Sequence, residues 1–239
     1  MRTYFIFLLI FVPLLLSAQE RKQQNLTDYE HKRLHFGFTV GTNIMNFDIT
    51  KDDFFFSETV FNQVYSIENQ SIPGFMLGPV SNFHLGEYFD LRLLINLSFG
   101  QRNLKYLIVE DTAAQNPKLV THTMKLASTY LEFPLLIKYK AQRLDNFRPY
   151  IIAGVNPKID LAAQKKIKEE EMPKIRLSRY DLAWEIGLGL DFYLPYFKFS
   201  PEIKFSRGLN NMVVRDNTQF TSSIKHMNSN IWTLSFHFE

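Results

Sequence analysis

Cysteine is absent from the 239 residues, which removes disulfides, thiolate metal sites, thiol catalysis and a lipid-modified cysteine anchor from consideration. A strong charge of one sign is also missing. The formal net charge is only +3, and acidic and basic residues are mixed along the chain, so no basic surface for nucleic acid is implied. Beyond the first residues no apolar run approaches the ~20 uncharged residues that a membrane-crossing helix needs. Glycine and proline number ten each and never cluster into a linker, so one domain is expected after the leader.

What the chain does have is aromatic side chains, 23 Phe and 11 Tyr among them. The mean hydropathy of −0.15 is nevertheless that of a water-soluble protein. The two are compatible if apolar and polar residues occupy opposite faces of the same strands.

Arg2, an apolar stretch from Tyr4 to Leu16 and the small pair Ser17 and Ala18 have the three-part layout of a secretory signal peptide over residues 1–18. Residues 19–32 then read as a polar tail in the periplasm, with Arg21 and Lys22 as candidate contacts to a partner. Residues 33–239 read as the membrane domain.

Period-two alternation is the dominant signal, because successive strand side chains point to opposite faces. Leu34, Phe36, Phe38, Val40, Thr42 and Ile44 alternate with His35, Gly37, Thr39, Gly41 and Asn43. The split recurs over 89–100, 130–140, 181–192 and 197–205, and again where Trp232, Leu234, Phe236 and Phe238 alternate with Thr233, Ser235 and His237. Two weaker segments, Gly74 to Leu85 and Phe147 to Asp160, complete a set of eight. The expected fold is therefore all-β: a closed, eight-stranded antiparallel transmembrane barrel of OmpA or OmpX size, lodged in the outer membrane and in contact with its lipid. Short connections at 86–88, 141–146 and 195–196 alternate with long ones at 48–72, 103–120, 161–177 and 209–227, which predicts both termini in the periplasm. Tyr88, Phe89, Tyr139, Phe147, Tyr150, Tyr193, Tyr196 and Phe197 cluster near the short turns, where an aromatic girdle belongs.

A two-residue turn at Pro195 and Tyr196 sets a register with Gly189 opposite Glu202 and Gly187 opposite Lys204, so that each missing side chain makes room for a long charged one. Diagonals of that ladder predict two lumenal ion pairs, Asp191 with Lys198 and Glu185 with Lys204. Glu202 and Glu132 join them on the inner face. An eight-stranded interior just accommodates side chains, so these charges read as filling and not as an open pore. A proton or substrate path through Glu132, Glu185, Glu202, Lys204 and His237 is not singled out by spacing. Ser235 and His237, with Glu185 elsewhere, supply the residue types of a hydrolase triad but no nucleophile-elbow pattern. No catalytic residue, cofactor, metal site or small-molecule substrate is assigned. Asp48, Asp52 and Asp53 match no calcium-loop spacing, and the Phe54, Phe55 and Phe56 that follow read as an apolar contact patch for a protein partner. Lys165, Lys166 and Lys168 followed by Glu169, Glu170 and Glu171 read as a short solvated helix.

Four stretches carry a family likeness: His35-Phe36-Gly37-Phe38, Thr129-Tyr130-Leu131-Glu132-Phe133-Pro134-Leu135-Leu136-Ile137-Lys138-Tyr139, Arg148-Pro149-Tyr150-Ile151-Ile152-Ala153-Gly154, and Trp184-Glu185-Ile186-Gly187-Leu188-Gly189. On them the chain resembles the PorT (SprT) outer-membrane barrels of the type IX protein secretion system. The resemblance implies a non-enzymatic component needed to secrete proteins that carry C-terminal sorting signals, and for gliding motility in cells that glide, with other secretion proteins as partners. Two readings stand beside it: a general small barrel for adhesion or membrane integrity, and a lipid-modifying membrane enzyme.

Overall fold

The computed structural model describes residues 24–52, 64–110, 118–163, 175–215 and 219–239. Among the described residues ten strands form one sheet: β1 (Leu34–Lys51), β2 (Val64–His84), β3 (Phe89–Leu94), β4 (Asn96–Glu110), β5 (Lys118–Glu132), β6 (Leu135–Lys140), β7 (Phe147–Asp160), β8 (Tyr180–Tyr193), β9 (Lys198–Gly208) and β10 (Ile224–Phe238). β3 and β4 are separated only by Ile95, and β5 and β6 only by Phe133 and Pro134, so the ten strands make eight staves. Every pairing is antiparallel, and β1 pairs with both β2 and β10, which closes the sheet on itself.

The ladder fixes the geometry of the cylinder. Starting at Ile44 and stepping between register partners gives Trp232, Phe205, Ile186, Ala153, Ile137, Leu91, Phe83 and then Leu34. One circuit thus returns to β1 ten residues below its start. With ~3.3 Å rise per residue and ~4.8 Å between strands, this stagger tilts eight staves by about 40° and sets a backbone radius of about 8 Å. Every member of the circuit is apolar, and most are exposed on the outer wall. The vertical distance from Leu34 to Ile44 at that tilt is about 25 Å, the height of an outer-membrane hydrocarbon band.

At one end the staves are joined by short connections over 85–88, 141–146 and 194–197. The turn at Pro195 and Tyr196 pairs Tyr193 with Lys198, Gly189 with Glu202 and Gly187 with Lys204, the register the two-residue loop requires. At the other end the strands continue far beyond the apolar band. β2 begins at Val64 and not at Gly74, β4 reaches Glu110 and β5 starts at Lys118, so the expected long loops are partly strand. Polar outward residues such as Gln70, Lys105 and Lys125 hid these extensions, because above the lipid both faces no longer contrast in the same way.

The inside of this projecting part is apolar. Phe47, Ile67, Leu104, Tyr106, Met124 and Met227 pack around Ile175, Leu177, Met212 and Val213 from two inward-folded connections. Leu177 and Val213 form an isolated bridge, and the short helix α1 (Gln219–Ser222) brings Phe220 against Tyr106. This apolar stopper was not anticipated.

Candidate functional site

The lumen within the apolar band is the main concentration of buried charge. Among the described residues eight cations point inward and are buried: Arg92, Arg102, Lys138, Lys140, Arg148, Lys158, Lys198 and Lys204. Eight carboxylates accompany them, counting Asp90, Glu132, Asp160, Asp181, Glu185, Asp191 and Glu202, with Glu239, whose side chain is 1% exposed. The lumen is therefore balanced in formal charge, as burial in a low-dielectric interior demands.

Some of the pairs join neighbouring staves and others reach across the cylinder. Arg92 Nη1 donates to Glu202 Oε2 at 2.6 Å, its Nε donates to Asn82 Oδ1 at 2.9 Å, and its Nη2 lies 3.4 Å from Glu239 Oε1. Lys138 Nζ donates to both oxygens of Asp191 at 2.8 and 2.6 Å and lies 3.7 Å from the centre of the Tyr150 ring. Lys140 Nζ donates to Asp90 Oδ1 at 2.6 Å, with His84 Nδ1 2.9 Å from the same oxygen. Higher up, Arg102 donates to Ser128, Tyr130 and Ser229 hydroxyls at 2.6, 2.8 and 3.1 Å and lies over the Phe47 ring.

Of the two expected diagonals, Lys204 Nζ lies 2.8 Å from Glu185 Oε2. The other is corrected: Asp191 is taken by Lys138 and by the Ser200 hydroxyl at 2.6 Å, while Lys198 Nζ donates to Glu239 Oε2 at 2.7 Å. Neighbouring-strand reasoning missed this because Lys138 arrives from a stave two positions away. Glu202 is held by Arg92, by the Tyr150 hydroxyl at 2.8 Å and by His237 at 3.4 Å, and Glu132 accepts from Asn156 Nδ2 at 3.5 Å. The glycine spaces also went elsewhere. A side chain at Gly189 would strike the Tyr150 ring, and one at Gly187 would crowd Ile152. Tyr150 and Tyr193 consequently belong to the interior, not to the outer girdle, since both share the inward parity of Arg148 and Asp191. Tyr88, Phe89, Tyr139, Phe147, Tyr196 and Phe197 are exposed.

The hydrolase arrangement does not assemble. Ser235 Oγ and Glu202 Oε1 both approach the same atom, His237 Nε2, at 3.4 Å each. A triad needs the nucleophile and the orienting acid on opposite nitrogens of the histidine ring, and all three side chains are buried. Asp48 is engaged by Arg207 at 2.6 Å on the surface. Arg21, Lys22, Asp53, Phe54, Phe55, Phe56 and residues 165–171 lie outside the described residues.

The mouth at the short-turn end is covered by a segment before β1. Residues Thr27–His31 form a single 3-10 turn. Tyr29 stacks on His35 with ring centres 3.8 Å apart and donates its hydroxyl to Glu239 Oε2 at 2.8 Å. Burial pushes the Tyr29 phenol well above its ordinary pKa, and the adjacent Glu239 carboxylate pushes it the same way, so the hydroxyl stays a donor.

A closed sheet with a lipid-facing apolar wall and a packed, charge-balanced interior defines a small outer-membrane β-barrel. The family model of the outer membrane protein beta-barrel domain matches residues 17–214, and the chain belongs to that family. No curated protein matches it in sequence. Among solved structures, OprG from Pseudomonas aeruginosa is 12% identical with a TM-score of 0.43, covering 84% of this chain and 93% of that one. Neisserial surface protein A is 8% identical with a TM-score of 0.41, covering 86% and 98%. Ail of Yersinia pestis, in complex with the heparin analogue sucrose octasulfate, is 11% identical with a TM-score of 0.39, covering 87% and 99%.

Proposed function

We propose that this barrel is an accessory component of protein secretion across the outer membrane, similar in role to the PorT (SprT) barrels of the type IX system. Both termini lie in the periplasm, at the end with the short turns. One observation carries the reading: the lumen is filled by buried charges, many of them ion-paired, below and by apolar side chains above, which leaves the two ends and the tail as the surfaces available for work. The protein is a scaffold and not an enzyme or a conduit. Its partners are outer-membrane lipid and other secretion proteins, met through Phe54, Phe55 and Phe56 on the outer side and Arg21 and Lys22 on the inner side.

Deletion of the protein tests this directly. Secretion of cargo bearing C-terminal sorting signals is expected to stop, along with gliding where cells glide, and affinity capture from detergent-solubilised membranes is expected to recover secretion components. Cargo secretion that continues unchanged would move the assignment to a general adhesion or membrane-stabilising barrel.

A further inference from the structure

Residues 25–29 close the short-turn mouth with contacts of the kind that recognise a peptide. The Asn25 N–H donates to Asn146 Oδ1 at 2.8 Å, and Asn25 Nδ2 donates to the Tyr193 carbonyl at 3.0 Å. The Asn25 carbonyl accepts from Arg143 Nη2 at 2.5 Å. Arg143 is itself fixed by its Nε, which donates to the Asp145 carbonyl at 2.8 Å, and by the Tyr193 ring 3.7 Å away. Four residues on, the Tyr29 ring enters between His35 and Tyr193, with Lys198 Nζ 4.7 Å from its centre and its hydroxyl on Glu239. The mouth thus reads a main-chain amide, a main-chain carbonyl, a side-chain amide and an aromatic hydroxyl.

The docked segment also carries backbone strain. Among the described residues, two non-glycine residues have positive φ: Leu26 at 52° and Asp145 at 49°. Asp145 lies in the two-residue turn closed by the mutual backbone bonds of Leu144 and Phe147, where a left-handed Asp is at home, whereas Leu26 belongs to the segment itself. Left-handed backbone at a leucine is held only by surrounding contacts and is relieved on release. Thr27 and Asp28 stay exposed, so the segment is held through Asn25, Leu26 and Tyr29.

We propose that this mouth is a peptide-binding site, that residues 25–29 occupy it in cis as a displaceable latch, and that a segment of a partner protein taking up the same turned conformation replaces them by presenting an aromatic hydroxyl four residues after a side-chain amide. The partner's access rests on the periplasmic orientation proposed above, whereas binding itself does not.

The test uses the full-length barrel in detergent, with a fluorescein-labelled peptide of residues 24–33 as probe and fluorescence anisotropy as readout. Wild-type protein, with its latch seated, binds the probe weakly. The full-length double variant Asn25→Ala with Tyr29→Ala, altered outside every strand, binds it at least tenfold more tightly. A probe carrying Tyr29→Phe loses most of that gain, because the hydroxyl to Glu239 is gone. Equal affinity in wild type and double variant, absence of binding to both, or indifference to the Tyr29→Phe change would overturn the proposal. A wild-type dimer held by exchanged N-terminal segments would overturn the assignment to a foreign segment. Secretion does not enter the assay, so its failure is separate from failure of the functional reading.

Discussion

Arg92 shows what a buried charge costs and what repays it. Its guanidinium is fully buried and divides its donors among Glu202, Asn82 and Glu239, a three-way geometry that a planar fork can satisfy and a lysine cannot. Replacing it by methionine keeps much of the volume but leaves the Glu202 carboxylate buried without its cation. Arg92→Met is expected to destabilise the barrel by about 3–5 kcal/mol. Arg92→Met combined with Glu202→Gln is expected to recover most of the loss, since the stranded charge is removed with its partner. Asp48→Asn, which breaks the half-exposed pair with Arg207, serves as the contrast and should cost no more than about 1 kcal/mol. Chemical unfolding in detergent, followed by the gel-mobility difference between folded and unfolded barrel, measures all three. A single variant as stable as wild type, or a double variant no better than the single, would show that the ion pair is not what holds this layer.

Strands were legible in the sequence where one side faced hydrocarbon, and lost their signal where it did not. The β8–β9 hairpin could be aligned residue by residue, because Pro195 and Tyr196 fix the loop and Leu188, Leu190, Ile203 and Phe205 fix the outer face. β7 was bounded at Phe147 and Asp160 although Pro149 and Pro157 interrupt its pattern. By contrast the first ten residues of β2 alternate between a solvated wall and the apolar stopper, with Glu68 and Gln70 outside, a pattern that also suits a loop. The occupants of the lumen were legible as inward residues, and as partners only within one hairpin, where Glu185 meets Lys204: alternation gives a side chain's face, whereas Lys138 meeting Asp191 depends on the curvature that brings separate staves together. Gly189 belongs to this scale too. It lies opposite both Tyr150 and Glu202, and an added Cβ would stand 2.4 Å from the Tyr150 hydroxyl and ring. Gly189→Val is therefore expected to expel the phenol, breaking its bond to Glu202 and its contact with Lys138, at a cost of roughly 1–3 kcal/mol. Gly86→Ala, in a turn with open space around it, should leave the unfolding midpoint unchanged. If Gly189→Val unfolds at the wild-type midpoint, Tyr150 does not depend on that gap.

For the molecule as a whole, the ten-residue stagger and the filling of the interior are two sides of one constraint. A backbone radius of about 8 Å leaves room for one side chain from each stave and little else, and here those side chains are long: Arg92, Arg102, Lys138 and Lys158 are among the largest fully buried residues. An ion crossing the lower lumen would have to separate pairs such as Lys138 with Asp191, and separating a buried pair costs several kcal/mol per stranded charge. Beyond that layer it would meet Leu104, Met212 and Met227, each with no exposed surface, where an unpaired ion has no partner at all. Two barriers of different chemistry thus lie in series. Purified barrel in a planar bilayer is accordingly expected to show no discrete conductance steps in molar potassium chloride at moderate voltage. Weakening only the lower barrier, with Arg92→Ala and Glu202→Ala together, is expected to leave the membrane equally silent because the other lumenal pairs and the apolar stopper remain. Stable ohmic steps from the wild-type protein would mean that the lumen is a path, and the scaffold reading would then give way to one in which something passes through.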